Sequence, residues 1–161
     1  MKAADAGNIR AMHNIAVLSA EGVDGKPDYA AASSWFRKAS EYGVRDSQYN
    51  LAILYARGLG VEQSLSLSWA WFGIAAAQGD TDAAKKQDDV GARLDTKQMA
   101  DAKAFVAAFR PKPTDKAANE VASPPGGWDA PTARMEPKRD LYPPAPTPAL
   151  KAPPKRKTTS T

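Results

Sequence analysis

The chain contains no cysteine, which excludes disulfide frameworks, thiolate nucleophiles and cysteine-ligated metals. Its one histidine is His13. A histidine-based triad or metal cluster would need partners, and without cysteine the case for a metal is weak. Proline is nearly missing from the first part: of 13 prolines only Pro27 precedes Phe109, and the other 12 fall between positions 111 and 154. No apolar run approaches the roughly 18–20 residues that a membrane-spanning helix needs. Residues 1–14 show no apolar core behind a basic start, so no secretory signal is visible. As written, the chain is expected in the cytoplasm, or in the periplasm if it is part of a longer membrane-anchored parent.

What is present divides at the same boundary. Residues 1–110 hold 13 basic and 13 acidic side chains, whereas residues 111–161 hold 9 and 5 and so supply the whole formal charge of +4. The high pI is therefore a property of the tail and says little about partners of the folded part. Beyond residue 110, Trp128, Leu141 and Tyr142 are the main large apolar groups. That composition buries too little surface to offset ordering entropy, so a disordered tail is expected, with polyproline II favoured over residues 143–148. The cluster Lys155-Arg156-Lys157 reads as a contact for an anionic surface or as a solvated basic end. Without interleaved aromatics, no nucleic-acid partner is expected.

Sliding the sequence against itself by 36 positions superimposes Gly7, Gly43 and Gly79. Without a gap it also places Asn14 on Asn50, Ile15 on Leu51, Ala16 on Ala52, Leu18 on Leu54, Gly22 on Gly58, Trp35-Phe36 on Trp71-Phe72 and Ala39 on Ala75. A period of this length marks stacked helical hairpins. In the second copy Asp46 is placed to cap a helix with Ser47, Leu51, Leu54, Tyr55 and Gly58 on one face. A second row, Tyr49, Ala52 and Ala56, is mostly small, as is its counterpart His13, Ala16 and Ala20, which lets a neighbouring helix approach closely. Gly58 and Gly60 end this helix. A second helix is predicted over residues 65–78, burying Leu67 or Ser68, Trp71, Phe72 and Ala75, with Gly79 closing it.

The spacing A/S-x-x-N-L/I-A-x-L-x-x-x-G, a short loop, then W-F-x-x-A-A/S-x-x-G resembles the Sel1-like repeat, a relative of the tetratricopeptide repeat. Ser47-Gln48-Tyr49-Asn50-Leu51-Ala52-Ile53-Leu54-Tyr55-Ala56-Arg57-Gly58-Leu59-Gly60-Val61 follows that family's first helix and G-x-G-V loop. The first copy departs from it: His13 and Ser19 stand where tyrosines are usual, and Val23-Asp24-Gly25 replaces Leu59-Gly60-Val61. The resemblance covers about residues 3–94 and implies an all-α fold, an α-solenoid of antiparallel helix pairs with a disordered C-terminal tail. More narrowly, Ala11-Met12-His13-Asn14, residues 46–58 and Pro124-Pro125-Gly126-Gly127-Trp128-Asp129 are similar to the C-terminal region of alphaproteobacterial polar localisation factors of the PodJ type. Relatives of that group often carry a peptidoglycan-binding module nearby. This second resemblance implies a place at the cell pole or envelope.

The chain then divides into a remnant of a preceding repeat (residues 1–6), repeats at 7–42 and 43–78, a terminal capping helix pair at 79–110 and a Pro-rich basic tail at 111–161. The remnant aligns Ala3-Ala4-Asp5-Ala6-Gly7 with Ala39-Ser40-Glu41-Tyr42-Gly43, the last turn of a second helix. Because a solenoid needs its first apolar face covered, a truncated fragment is the first expectation and cover by a partner or a second copy the other. At the far end, Lys85, Lys86, Asp88 and Asp89 replace apolar positions. Asp95-Thr96-Lys97-Gln98 reads as a capping box, and the next helix is expected to bury Met99, Ala102, Phe105, Val106 and Phe109. Two repeats and a cap sit near the lower limit for such arrays, which usually need about three units, so a marginally stable domain is expected.

No catalytic constellation emerges, so the chain is read as a non-enzyme with no cofactor and no metal. His13, the counterpart of Tyr49, is expected at a repeat interface. The acidic neighbours Asp88-Asp89 diverge on a helix, Asp80 and Asp82 read as a helix start, and Gly58-Leu59-Gly60 lacks the third glycine of a nucleotide loop. Trp35 and Trp71 could stack on sugars, but their spacing suits core burial. What remains is a surface. Asn14, Val17 and Glu21 in one copy match Asn50, Ile53 and Arg57 in the next, a ladder on the concave face that could hold an extended partner peptide. Alternatively, the asparagines bond to neighbouring turns and set the superhelix. The leading expectation is a protein-interaction scaffold. The rivals are a peptidoglycan-binding module and a truncated fragment without a role.

Overall fold

The computed structural model describes residues 4, 7–22, 24–119 and 142. Expectations for the rest of the tail lie outside the described residues. Six helices follow one another: α1 (Ile9–Glu21), α2 (Tyr29–Glu41), α3 (Arg45–Arg57), α4 (Leu65–Ala76), α5 (Thr81–Gly91) and α6 (Thr96–Ala108). A single turn, α7 (Lys116–Asn119), comes after them. Among the described residues there is no strand. Each of α1 to α4 packs on the next in the chain, α4 also meets α5 and α6, and the result is a helical solenoid.

The repeat predicted at 36 positions recurs bond by bond. Asp28 N donates to Ser19 O at 2.8 Å, and 36 residues on Ser64 N donates to Tyr55 O at 3.0 Å. Asp28 and Ser64 each cap their helix with a side-chain oxygen, accepting from Ala31 N and Leu67 N. Gly7, Gly43 and Gly79 have φ of +92°, +86° and +90°, and their amides donate to Ala4, Ser40 and Ala76 carbonyls at 3.0, 2.9 and 2.9 Å. Only a residue without Cβ adopts this left-handed exit without strain. The glycine register is therefore a backbone requirement of every hairpin-to-hairpin turn.

The first-helix caps differ from one copy to the next. Asn8 caps α1 and Asp80 caps α5 through their side chains, but their counterpart before α3 is Val44, which makes no side-chain cap bond. The expectation that Asp46 caps α3 is corrected here: Asp46 lies inside the first turn, where its charge favours the helix N-terminus. Val44 instead packs against the small cluster of Ala4, Met12 and Ala39, burying apolar surface where its counterparts make a hydrogen bond. The capping box before α6 forms both halves, Gln98 N to Asp95 Oδ1 at 2.8 Å and Asp95 N to Gln98 Oε1 at 3.0 Å.

The main core runs through both repeats as Ala16, Ala20, Ala32, Phe36, Leu51, Ala52, Leu54, Trp71, Phe72 and Ala75. Alanines at the helix crossings allow close approach, and the aromatics fill the space between hairpins. His13 and Phe36 stand 5.8 Å apart between ring centroids, and their counterparts Tyr49 and Phe72 stand 5.5 Å apart. Trp71 is edge-on to both Phe105 and Phe109 at 5.3 Å. Of the residues of α6 and its C-cap expected to face the array, Ala102 is buried, while Met99, Phe105, Val106 and Phe109 are partly so. Lys85, Lys86, Asp88 and Asp89 are exposed on α5.

After α6 the chain turns back along the array. Lys112 N donates to Glu41 O at 2.8 Å, and its ammonium meets the Glu41 carboxylate. Ala118 O accepts from Asn8 Nδ2 at 2.8 Å, and Asn119 Oδ1 accepts from Ile9 N at 2.9 Å. The chain's own α7 therefore lies against the start of the first repeat.

Candidate functional site

Asn50, Ile53 and Arg57 fall on one face of α3 at helical spacing. Asn50 Nδ2 donates to Asp46 O at 2.8 Å, one turn back, which fixes the orientation of the carboxamide. Its oxygen then points outward as an acceptor, and the Tyr142 hydroxyl donates to it at 3.0 Å. The Arg57 guanidinium stands 5.8 Å from the Tyr142 ring centroid, within reach of a cation–π attraction. Tyr29, the first residue of α2, places its ring 6.2 Å away at a tilt. Tyr142 is 6% exposed. Burial pushes its hydroxyl well above the ordinary tyrosine value; Tyr29 and Tyr49 add to this and Arg57 opposes it. The Tyr142 hydroxyl is thus held in its neutral, donating form.

The structure separates the two halves of the expected ladder. Contacts to Tyr142 come from Asn50 and Arg57, whereas Asn14 and Glu21 are exposed. Val17 and Ile53 are partly buried and pack against the core cluster that includes Tyr142. One end of the Asn50 amide bonds to the preceding turn, and the other meets the hydroxyl of Tyr142. Tyr29 and Tyr142 were not anticipated as site residues. The available signal was faint: Tyr142 is the one tyrosine beyond residue 110, followed directly by Pro143 and Pro144.

Other candidates resolve into structure. His13 Nδ1 lies 2.8 Å from Ser47 Oγ across the α1–α3 seam, and burial lowers its basicity while Asp46 opposes. Gln48, fully buried, donates to Ser40 O at 3.2 Å and accepts from Gln78 Nε2 at 2.6 Å, joining α3 to the ends of α2 and α4. An open recess between Arg37, Tyr55, Val61 and Leu67 is closed at one side by the Arg37–Tyr55 hydrogen bond. Among the described residues no three acidic or histidine side chains gather as a metal would require. No helix there is long and apolar enough to cross a membrane.

Hairpins repeating at 36 residues around an alanine–aromatic core define a helical-repeat solenoid. Residues 9–43 and 45–80 each match the family model of the Sel1 repeat, so these two segments are Sel1 repeats. Among solved structures it is similar to c5321, a protective antigen present in uropathogenic Escherichia coli strains and displaying an SLR fold. The two are 29% identical with a TM-score of 0.63 over 66% of this chain and 23% of that one. A Sel1 repeat protein from Oxalobacter formigenes is also 29% identical, with a TM-score of 0.51 over 70% of this chain and 46% of that one. The chain thus spans less than half the length of either. No curated protein matches it.

Proposed function

We propose that this chain is a non-enzymatic protein-interaction scaffold that holds a partner segment along the face formed by α1 and α3. Asn14, Val17, Glu21, Asn50, Ile53 and Arg57 are the contact residues of this reading. The observation that supports it is the burial of Tyr142 against Asn50 and Arg57: a side chain far away in sequence docks on that face. Such a face suits an extended segment presenting one anchoring side chain. Replacing both Asn14 and Asn50 by alanine is expected to weaken partner capture while the far-UV circular dichroism melt stays within about 1 kcal/mol of wild type. Unchanged capture would remove the reading.

The two indoles that the glycan-binding alternative would use, Trp35 and Trp71, are not open. Sugar stacking needs an open indole face, yet Trp71 is 4% exposed and Trp35 carries the Lys38 ammonium 4.1 Å above its ring. A place at the bacterial pole or envelope is what the narrower resemblance implies. Imaging a fluorescent fusion tests it, and an even distribution through the cell would count against it.

A further inference from the structure

We propose that Tyr29, Asn50 and Arg57 form a tyrosine-reading site, whose ligand class is an extended peptide segment carrying a tyrosine, and that the chain's own Tyr142 fills this site until such a segment displaces it. The inference rests on the scaffold reading and supplies the chemistry of its partner.

Three groups from two helices converge on one phenol. The Asn50 oxygen accepts the hydroxyl at 3.0 Å, the Arg57 guanidinium lies 5.8 Å from the ring centroid, and the Tyr29 ring lies 6.2 Å from it. Each reads a different property: a hydroxyl donor, an electron-rich face, and an aromatic edge or face. A phenylalanine would satisfy the last two and leave the oxygen of Asn50 unpaired beside an apolar ring, which is how a polar site rejects an analogue lacking the hydroxyl. The position of Tyr142 also suits the role. Pro143 follows it directly, and a residue before proline is biased towards extended backbone, the form in which a peptide lies on a helical-repeat face. Tyr142 is itself buried. Because Tyr142 belongs to the same chain as its site, its contact is intramolecular and is favoured over a segment free in solution. A segment supplied in trans must therefore compete with it.

The test uses a fluorescently labelled peptide of residues 137–147, followed by anisotropy with the full chain. Tyr142→Ala is expected to bind the peptide at least about tenfold more tightly than wild type, because the competing side chain is gone. Changing the peptide's tyrosine to phenylalanine should weaken binding about tenfold, and changing it to alanine should abolish it. Should Tyr142→Ala fail to fold, Tyr142→Phe keeps the ring, loses only the Asn50 bond, and must still bind the peptide more tightly than wild type. Equal affinity for wild type and variant overturns the internal occupancy. Absence of binding to the variants, or equal binding of the tyrosine and alanine peptides, overturns tyrosine reading. If that happens while alanines at Asn14 and Asn50 still weaken partner capture, this inference alone is lost; if those alanines change nothing either, the scaffold reading falls with it.

Discussion

Gly60→Ala is the sharpest perturbation of the geometry that builds the site. Gly60 sits in the loop after α3 with φ +66°, and a Cβ there would lie 2.1 Å from the carbonyl carbon and oxygen of Tyr29. Those atoms are backbone, so no side-chain rotation relieves the overlap. Two costs add: about 1–2 kcal/mol for a side chain in the left-handed region and about 1–3 kcal/mol for forcing packed backbone apart. Gly25 provides the control, because its φ is +71° and nothing lies within 4 Å of a Cβ built on it. Gly25→Ala therefore carries the conformational cost alone. Urea unfolding followed by far-UV circular dichroism and tryptophan fluorescence should place Gly25→Ala about 1–2 kcal/mol below wild type and Gly60→Ala a further 1–3 kcal/mol or so below that. For an array at the low end of domain stability, about 5 kcal/mol, the second loss is a large fraction of the total. Because the clash falls on the residue that supplies one wall of the tyrosine site, Gly60→Ala should also loosen Tyr142. Equal destabilisation by the two alanines would refute the docking of this loop on the start of α2, and with it the positioning argument for Tyr29.

Two pH effects follow from burial. His13 is less basic in the folded array than in the open chain, because of burial with Asp46 opposing. Its contribution is therefore fully present above the unfolded value of about 6.5 and lost as pH falls below it. Chemical denaturation across mildly acid pH should show this loss in wild type, and His13→Tyr, which copies the second repeat, should not; the same slope in both would exclude His13 as its origin. Tyr142 behaves in the opposite sense, since burial, with Tyr29 and Tyr49, raises its hydroxyl against the opposition of Arg57. Its docking is complete below the unfolded value of about 10 and is lost as pH climbs through the raised folded value. Ultraviolet difference titration should show one tyrosine ionising later than the others in wild type and no such late step in Tyr142→Phe, and identical curves would contradict the buried phenol.

The solenoid was legible because its information is short-range and repeated. Glycines at 36-residue intervals, alanines at helix crossings and the Trp-Phe pairs each specify a local conformation or a facing surface, and the same bonds form twice. The capping box at Asp95 and Gln98 was equally readable, being complete within four residues. The same periodicity put Asn50 and Arg57 on one face of α3, where Tyr142 meets them.

What periodicity could not supply are contacts between residues that share no local pattern. Val44 replaces a capping side chain because a neighbouring cluster offers it burial. Gly60 must lack a side chain because the backbone of another helix lies against it, while its counterpart in the first repeat is Asp24, which is exposed. The return of the chain to Asn8 and Ile9, and the bond from Tyr142 to Asn50 across 92 positions, depend on where distant segments meet in space. Spacing along the chain determined the helices and their stacking; which polar face would receive a tyrosine was decided only once the hairpins were assembled, because burial and hydrogen-bond complementarity belong to the assembled surface.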